Sequence, residues 1–164
     1  MGLLSWRRPT DRVVLVDSVR APLPDPSDTL FRVVTEAVIL QDDAQAVLAA
    51  VGRHEHLGLV ARRGGPLVHR FFLLRERLPR QARHPPTARR VAQVDTILLH
   101  HAMQVVTALE FLAVDGRSER MYAHVSAIRG LGAPAELLDE IYAELKAERA
   151  RGPELSEARG TMTS

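Results

Sequence analysis

The chain has 164 residues, of which 46% are apolar and 26% are charged, a mixture typical of one folded domain rather than a disordered chain. Cysteine is absent, which excludes disulfide bonds, thiolate metal sites and cysteine nucleophiles. The most apolar stretch, residues 97–114, contains two histidines and a glutamate, and no secretory signal is recognisable, so we expect a cytoplasmic protein without a membrane span.

The N-terminal part is predicted to contain a leader, a strand and a connector. Residues 1–11 have the character of a flexible leader, and the β-branched run at 12–19 predicts a short strand. Three prolines punctuate residues 21–28, which predicts a connector rather than a regular element. Ser27 or Asp28 at its end is of the type that caps a helix N-terminus.

Helical periodicity follows the connector and then gives way to a turn signal. Apolar residues recur at helical spacing in Leu30, Phe31, Val34, Ala37 and Val38. The polar Gln-Asp-Asp at 41–43 is predicted to interrupt this helix before a second short helix ends at Gly52. Residues 56–74 carry two apolar runs around Arg-Gly-Gly-Pro at 63–66, which predicts a β-hairpin.

The second half of the chain reads as helical. Apolar periodicity predicts a long central helix at about 87–114, a shorter one at about 118–128 and a last one at about 134–150. We therefore predict an α+β fold that is predominantly helical: a bundle of about five helices with a small β element, the strand at 12–19 and the hairpin at 56–74. The globular domain spans 12–150, and the polar residues 151–164 are predicted to be a disordered tail.

Charge is distributed unevenly along the sequence. Residues 1–90 carry 15 basic and 9 acidic groups, whereas residues 91–164 carry 7 and 11. The basic excess is densest at 75–90, which holds six arginines and one acidic residue: Arg75, Arg77, Arg80, Arg83, Arg89 and Arg90. These guanidinium groups are candidates for a sequence-independent grip on phosphates. The alternative is that these arginines are solvated or pair internally with an acidic stripe on the last helix, formed by Glu136, Glu140, Glu144 and Glu148.

Polar residues on the long helix suggest a groove. His100, Gln104 and Thr107 lie on the strip opposite its apolar face, and His100 is the best candidate for a titrating functional group. His101 falls on the apolar stripe, where we expect a histidine at the edge of the core that donates to a backbone carbonyl.

The histidines do not predict a metal site. In the predicted hairpin register, His56 and His69 lie several residues apart, and His100 and His101 point about 100° apart on their helix. No His-Glu-x-x-His spacing occurs. We expect neither a metal nor another cofactor.

Known catalytic motifs are also missing from the sequence. It contains no Gly-x-Ser-x-Gly, no phosphate-binding P-loop and no dinucleotide-binding glycine pattern. The prediction is therefore a non-enzymatic adaptor or regulatory module that binds another protein through an exposed apolar patch, formed by residues 67–74 or by the first helix. The alternative is a nucleic-acid or anionic-surface binder that uses the arginines of residues 75–90.

Overall fold

The computed structural model describes residues 25–53, 55–113 and 129–160, together with positions 121, 125 and 127. These residues form four α-helices: α1 (Pro26–Gly52), α2 (Leu57–Glu76), α3 (Pro85–Ala113) and α4 (Ala133–Gly160). The predicted helical bundle is confirmed. The predicted hairpin at 56–74 is wrong, because α2 occupies that segment and the described residues include no strand. The leader at 1–11 and the strand at 12–19 lie outside the described residues, as does most of the helix at 118–128.

Two central helices hold the bundle together. α1 and α3 each pack against the other three helices, whereas α2 and α4 do not contact each other. α2 therefore lies on one side of the α1–α3 pair and α4 on the other. Consecutive helices run antiparallel, as the ion pairs Arg77–Glu36 and Arg70–Asp43 show for α1 and α2.

α1 is one continuous helix, and the predicted interruption at 41–43 does not occur. Its buried residues repeat every three or four positions, in the series Leu30, Val34, Ala37, Gln41, Ala44, Leu48 and Val51. Gln41 is buried in this stripe because its side-chain amide is hydrogen-bonded within the bundle, while Asp42 and Asp43 are exposed to solvent. The N-cap is Asp25, which accepts a hydrogen bond from the Ser27 amide at 2.9 Å, rather than Ser27 or Asp28 as predicted.

α2 is helical because its apolar residues have helical spacing on either side of the glycines. Its buried stripe is Val60, Gly64, Leu67, Phe71 and Leu74. Gly64 allows α2 to pack closely against α3 and does not form a turn. A Cβ at this position would lie 2.8 Å from Leu109 Cδ1 of α3. Pro66 is exposed, so water can satisfy the carbonyl of Arg62 that loses its helical partner.

α4 begins after a glycine corner and runs further than predicted. Gly130 and Gly132 have φ values of 59° and 60°, a left-handed conformation that favours glycine. Ala133 and Pro134 open the helix, where proline costs no hydrogen bond. The helix continues to Gly160, ten residues beyond its predicted end, so residues 151–160 are helical. None of the described helices combines the length and the apolar character needed to cross a bilayer.

Candidate protein-binding surfaces

Three of the six candidate arginines form ion pairs within the bundle. Arg75 of α2 donates two hydrogen bonds to Asp95 of α3, at 2.8 and 2.9 Å. Arg77 binds the Glu36 carboxylate of α1 with both terminal nitrogens, at 2.6 and 2.8 Å. These contacts lower the pKa values of the Asp95 and Glu36 carboxyl groups, and each pair is used to join two helices.

Arg90 forms the third internal pair, and its partners belong to the predicted acidic stripe. Its guanidinium donates to Glu144 at 3.0 Å and to Glu148 at 2.8 and 2.9 Å. The hydrogen bonds from Arg90 lower the pKa of Glu148. One guanidinium thus offsets the repulsion between two carboxylates one turn apart on α4.

The other three arginines lie in two separate places. Within the described part of the chain, no carboxylate lies within 4.0 Å of Arg80, Arg83 or Arg89. Arg80 and Arg83 line a hollow of about 630 Å³ that also touches the first turn of α1. Arg89 instead lines a groove on the α4 side. The structure therefore does not bring the six arginines together on one surface.

This second location is a groove of about 580 Å³ between α3 and α4. The α3 wall carries polar side chains at spacings of four, three and four residues: Arg89, Gln93, Thr96 and His100. The rest of the lining is apolar and comes from both helices: Ala92, Ile97, Ala133, Pro134 and Leu137. The short side chains of Ala92 and Ala133 on the two walls leave the space between the helices unfilled.

The groove contains only one of the three residues predicted to line it. His100 contributes to its wall, whereas Gln104 and Thr107 lie one and two turns further along α3 and are not part of the lining. The Gln104 amide nitrogen is 3.5 Å from His100 Nε2, at the outer limit of a hydrogen bond. Arg89 was predicted only as an anion-binding residue and not as part of this groove, and the α4 wall was not predicted at all, because their meeting depends on how α3 and α4 pack.

A chain of polar contacts connects this groove through Gln41 of α1 to Asp139 of α4. His101 is fully buried, and its Nε2 lies 2.9 Å from Gln41 Oε1. The Gln41 amide nitrogen donates to Asp139 Oδ1 of α4 at 3.1 Å. On the other side, His101 Nδ1 lies 3.4 Å from His100 Nδ1. His101 thus binds a side-chain amide and not the backbone carbonyl that was predicted.

Only one arrangement of protons satisfies every contact in this chain. Asp139 accepts from the Gln41 amide nitrogen, which leaves Gln41 Oε1 to accept from His101 Nε2–H. His101 Nδ1 is then an acceptor for His100 Nδ1–H, and His100 Nε2 keeps its lone pair. Burial lowers the pKa of His101 from 6.5 to about 4 and also lowers that of His100, so both rings are neutral at pH 7.

A second candidate surface crosses the outer face of α2. Five large apolar side chains there are between 37% and 56% exposed: Ile39, Phe72, Leu73, Leu99 and Met103. Ion pairs between the helices set the registers from which their relative positions follow. Arg77–Glu36 and Arg70–Asp43 set the α1–α2 register and bring Ile39 beside Leu73.

The α2–α3 register completes this surface. The ion pair Arg75–Asp95, together with the contact of Gly64 with Leu109, brings Leu99 beside Phe72 and Met103 one turn further along. The guanidinium of Arg75 lies 5.9 Å from the Phe72 ring centre. We call these five side chains the α2 face. Phe72 and Leu73 belong to the predicted segment 67–74, and Ile39 belongs to the first helix, which was the predicted alternative.

The remaining histidines have local roles or lie apart. His56 caps α2, with its Nδ1 accepting from the Gly58 amide at 3.2 Å, and His69 is exposed. Among the residues that the structure describes, no three histidine or acidic side chains are grouped closely enough to hold a metal ion. No family model matches the chain, and comparisons with curated proteins and with solved structures found no match either.

Proposed function

We propose that this protein is a non-enzymatic adaptor that binds another protein through the α2 face. The exposure of five large apolar side chains, which the helix registers place near one another, is the observation that carries this proposal. Single exposed leucines are common on soluble proteins, but neighbouring ones on three helices are typical of interfaces. The adjoining ion pairs of Arg70, Arg75 and Arg77 supply the polar rim that surrounds such interfaces.

Binding is better supported than catalysis by the surroundings of His100. A general base needs a partner that orients or charges it, and the nearest polar atoms of His100 belong to His101 and Gln104. Its pKa is lowered by burial alone. A neutral, half-buried imidazole in an apolar groove fits hydrogen bonding to a partner.

The proposal is tested by placing the photoreactive amino acid p-benzoylphenylalanine at Phe72 in the native cells. Lys146, exposed on α4, is the matched control position. We expect a distinct adduct with one other protein from position 72 and none of it from position 146. The Phe72→Ser/Met103→Ser variant should then bind that protein at least about tenfold more weakly, because aromatic anchors dominate interfaces. Identical adducts from both positions, or unchanged affinity of a folded variant, would refute the proposal.

Anion binding is the second candidate, and it now rests on fewer residues. Arg80, Arg83 and Arg89 support it because no described carboxylate lies within 4.0 Å of them, whereas Arg75, Arg77 and Arg90 are engaged within the bundle. The test is fluorescence anisotropy of labelled single- and double-stranded oligonucleotides between about 50 and 200 mM salt. Binding with a steep salt slope that Arg80→Ala/Arg83→Ala flattens and Arg75→Ala/Arg77→Ala leaves unchanged would favour it. Absence of binding at the lowest salt would exclude it.

A further inference from the structure

The groove between α3 and α4 has an almost wholly apolar surface, and the polar residues Arg89 and His100 are among those that line it. Arg89 and His100 are eleven residues apart on α3, which is about 16 Å along the helix axis. Ile97 and Leu137 form the middle of the groove, from opposite walls. Its volume of about 580 Å³ falls within the range of sites that bind ligands.

One end of the groove presents a hydrogen-bond acceptor. The proton arrangement of the buried chain leaves the lone pair on His100 Nε2, because His100 Nδ1–H is directed to His101. Its nearest donor is the Gln104 amide nitrogen, and the distance of 3.5 Å makes this contact weak. An occupant that brings an O–H or N–H donor to this end therefore gains a hydrogen bond that the bundle itself does not make well.

The other end presents a positive charge. Arg90 is neutralised by Glu144 and Glu148, but no described carboxylate lies within 4.0 Å of its neighbour Arg89. Glu140 and Glu144 line the adjoining hollow together with Arg89, and Glu144 is already paired with Arg90. An occupant's carboxylate consequently binds on the α3 side of the groove, away from Glu140.

These groups define the chemistry of the occupant. Tyrosine and tryptophan combine an apolar ring with a donor at its tip, so either one places its ring against Ile97 and Leu137 while it donates to His100. An acidic residue pairs with Arg89. A helix suits the remaining distance, because two residues about eleven positions apart on one helix face span the same distance of about 16 Å as Arg89 and His100, and a helix satisfies its own backbone.

We propose that the α3–α4 groove binds an amphipathic helix of a partner protein, with a tyrosine or tryptophan against His100 and an acidic residue about three turns away against Arg89. This site lies on the α4 side of the central pair, and the α2 face lies on the other side. The two proposals therefore fail independently. If both hold, the adaptor has two opposite faces and joins two partners.

The test is selection from a displayed library of helical peptides with all positions of one face randomised, using the full chain as bait. We expect enrichment of tyrosine or tryptophan at one position and of aspartate or glutamate about eleven positions away, in either orientation. These peptides should not bind the Arg89→Ala/His100→Ala variant when it replaces the wild-type protein as bait. They should still bind the control variant Arg80→Ala/His69→Ala. Selected peptides that lack this pair, or that bind the double variant equally well, would overturn the proposal.

The best peptide is then synthesised with a fluorophore and titrated by anisotropy. Replacing its tyrosine with phenylalanine (or its tryptophan with 1-methyltryptophan) should weaken binding about 2- to 10-fold to the wild-type protein, and not at all to His100→Ala. Replacing its acidic residue with the amide should weaken binding about 2- to 5-fold, and not at all to Arg89→Ala. Equal losses in the wild type and in these variants would overturn the assigned contacts. Displacement of the peptide by free p-cresol at a similar concentration would identify a small-molecule site and overturn the choice of a helix.

Discussion

Replacing Gln41 with leucine tests whether the buried polar chain is needed for stability. Gln41 is 2% exposed, and its Oε1 is the acceptor for the Nε2–H of the fully buried His101. Leucine has a similar size but no acceptor, so the variant leaves a buried N–H without a partner. Such an orphaned donor costs about 1–3 kcal/mol. Loss of the contact with Asp139 adds little, because Asp139 is exposed and water replaces the amide.

The double-mutant cycle with His101→Leu separates this cost from any change in packing. His101→Leu alone leaves Gln41 Oε1 without its donor, which is also unfavourable. The double variant removes both polar groups at once, and such paired replacements are close to neutral. We therefore expect the two single substitutions to be compensatory, with a coupling free energy of about 1–2 kcal/mol.

Urea unfolding at neutral pH, followed by far-ultraviolet circular dichroism, measures all four proteins. The expected order of midpoints places the double variant near the wild type and both single variants below it. If Gln41→Leu is as stable as the wild type, or if the two effects simply add, then the hydrogen bond between Gln41 and His101 makes no contribution and the proton arrangement proposed for the chain is wrong.

Three further predictions address other features of the bundle. The folded-state pKa of His101 is depressed from 6.5 to about 4, so between these pH values the unfolded chain binds a proton that the folded protein does not. The free energy of unfolding should therefore fall by about 3 kcal/mol as the pH drops from 6.5 to 4. Urea unfolding at several pH values measures this dependence, and the His101→Leu variant should not show it. Gly64→Ala should lower the free energy of unfolding by about 1 kcal/mol, because overpacking against Leu109 exceeds the gain in helix propensity. In a Leu109→Ala background the same substitution should raise it. Equal effects in the two backgrounds would contradict the close approach of Gly64 to Leu109. Arg90→Ala should lower the free energy of unfolding by about 1 kcal/mol, whereas Arg89→Ala should change it by less than about 0.5 kcal/mol. Equal losses from the two substitutions would show that the ion pairs of Arg90 with Glu144 and Glu148 do not stabilise the fold.

Periodicity predicted the helices well where it was not interrupted. The long helix at 87–114 and the helix beginning at 134 correspond to α3 and α4, because their apolar residues repeat without a strong local turn signal. α2 was misread for the opposite reason. Gly64, Gly65 and Pro66 outweighed the flanking spacing of Val60, Leu67 and Phe71, although the same three- and four-residue repeat runs through Gly64.

The reason for Gly64 lies in another helix, which local sequence reasoning cannot show. Its missing side chain makes room for Leu109, and that contact exists only once α2 and α3 are packed. Gln41 could have been found, since it falls on the apolar stripe of α1, where a polar residue signals a buried partner. The partners of Arg75, Arg77 and Arg90 depend on the order of helices in the bundle, which periodicity does not determine.

Within the described residues, α2 and α4 do not contact each other, so communication between the two proposed surfaces there runs through the central helices. The buried polar chain enters that layer from the α4 side at Asp139, passes Gln41 and His101, and returns to the α4 side at His100. It sets the proton positions on His100, and therefore the acceptor at the groove, but it does not reach the exposed side chains of the α2 face. Gln41→Leu should thus weaken binding of a groove peptide while leaving affinity at the α2 face unchanged. If both affinities shift together, the bundle responds as one packed unit and the polar chain has no separate role in recognition.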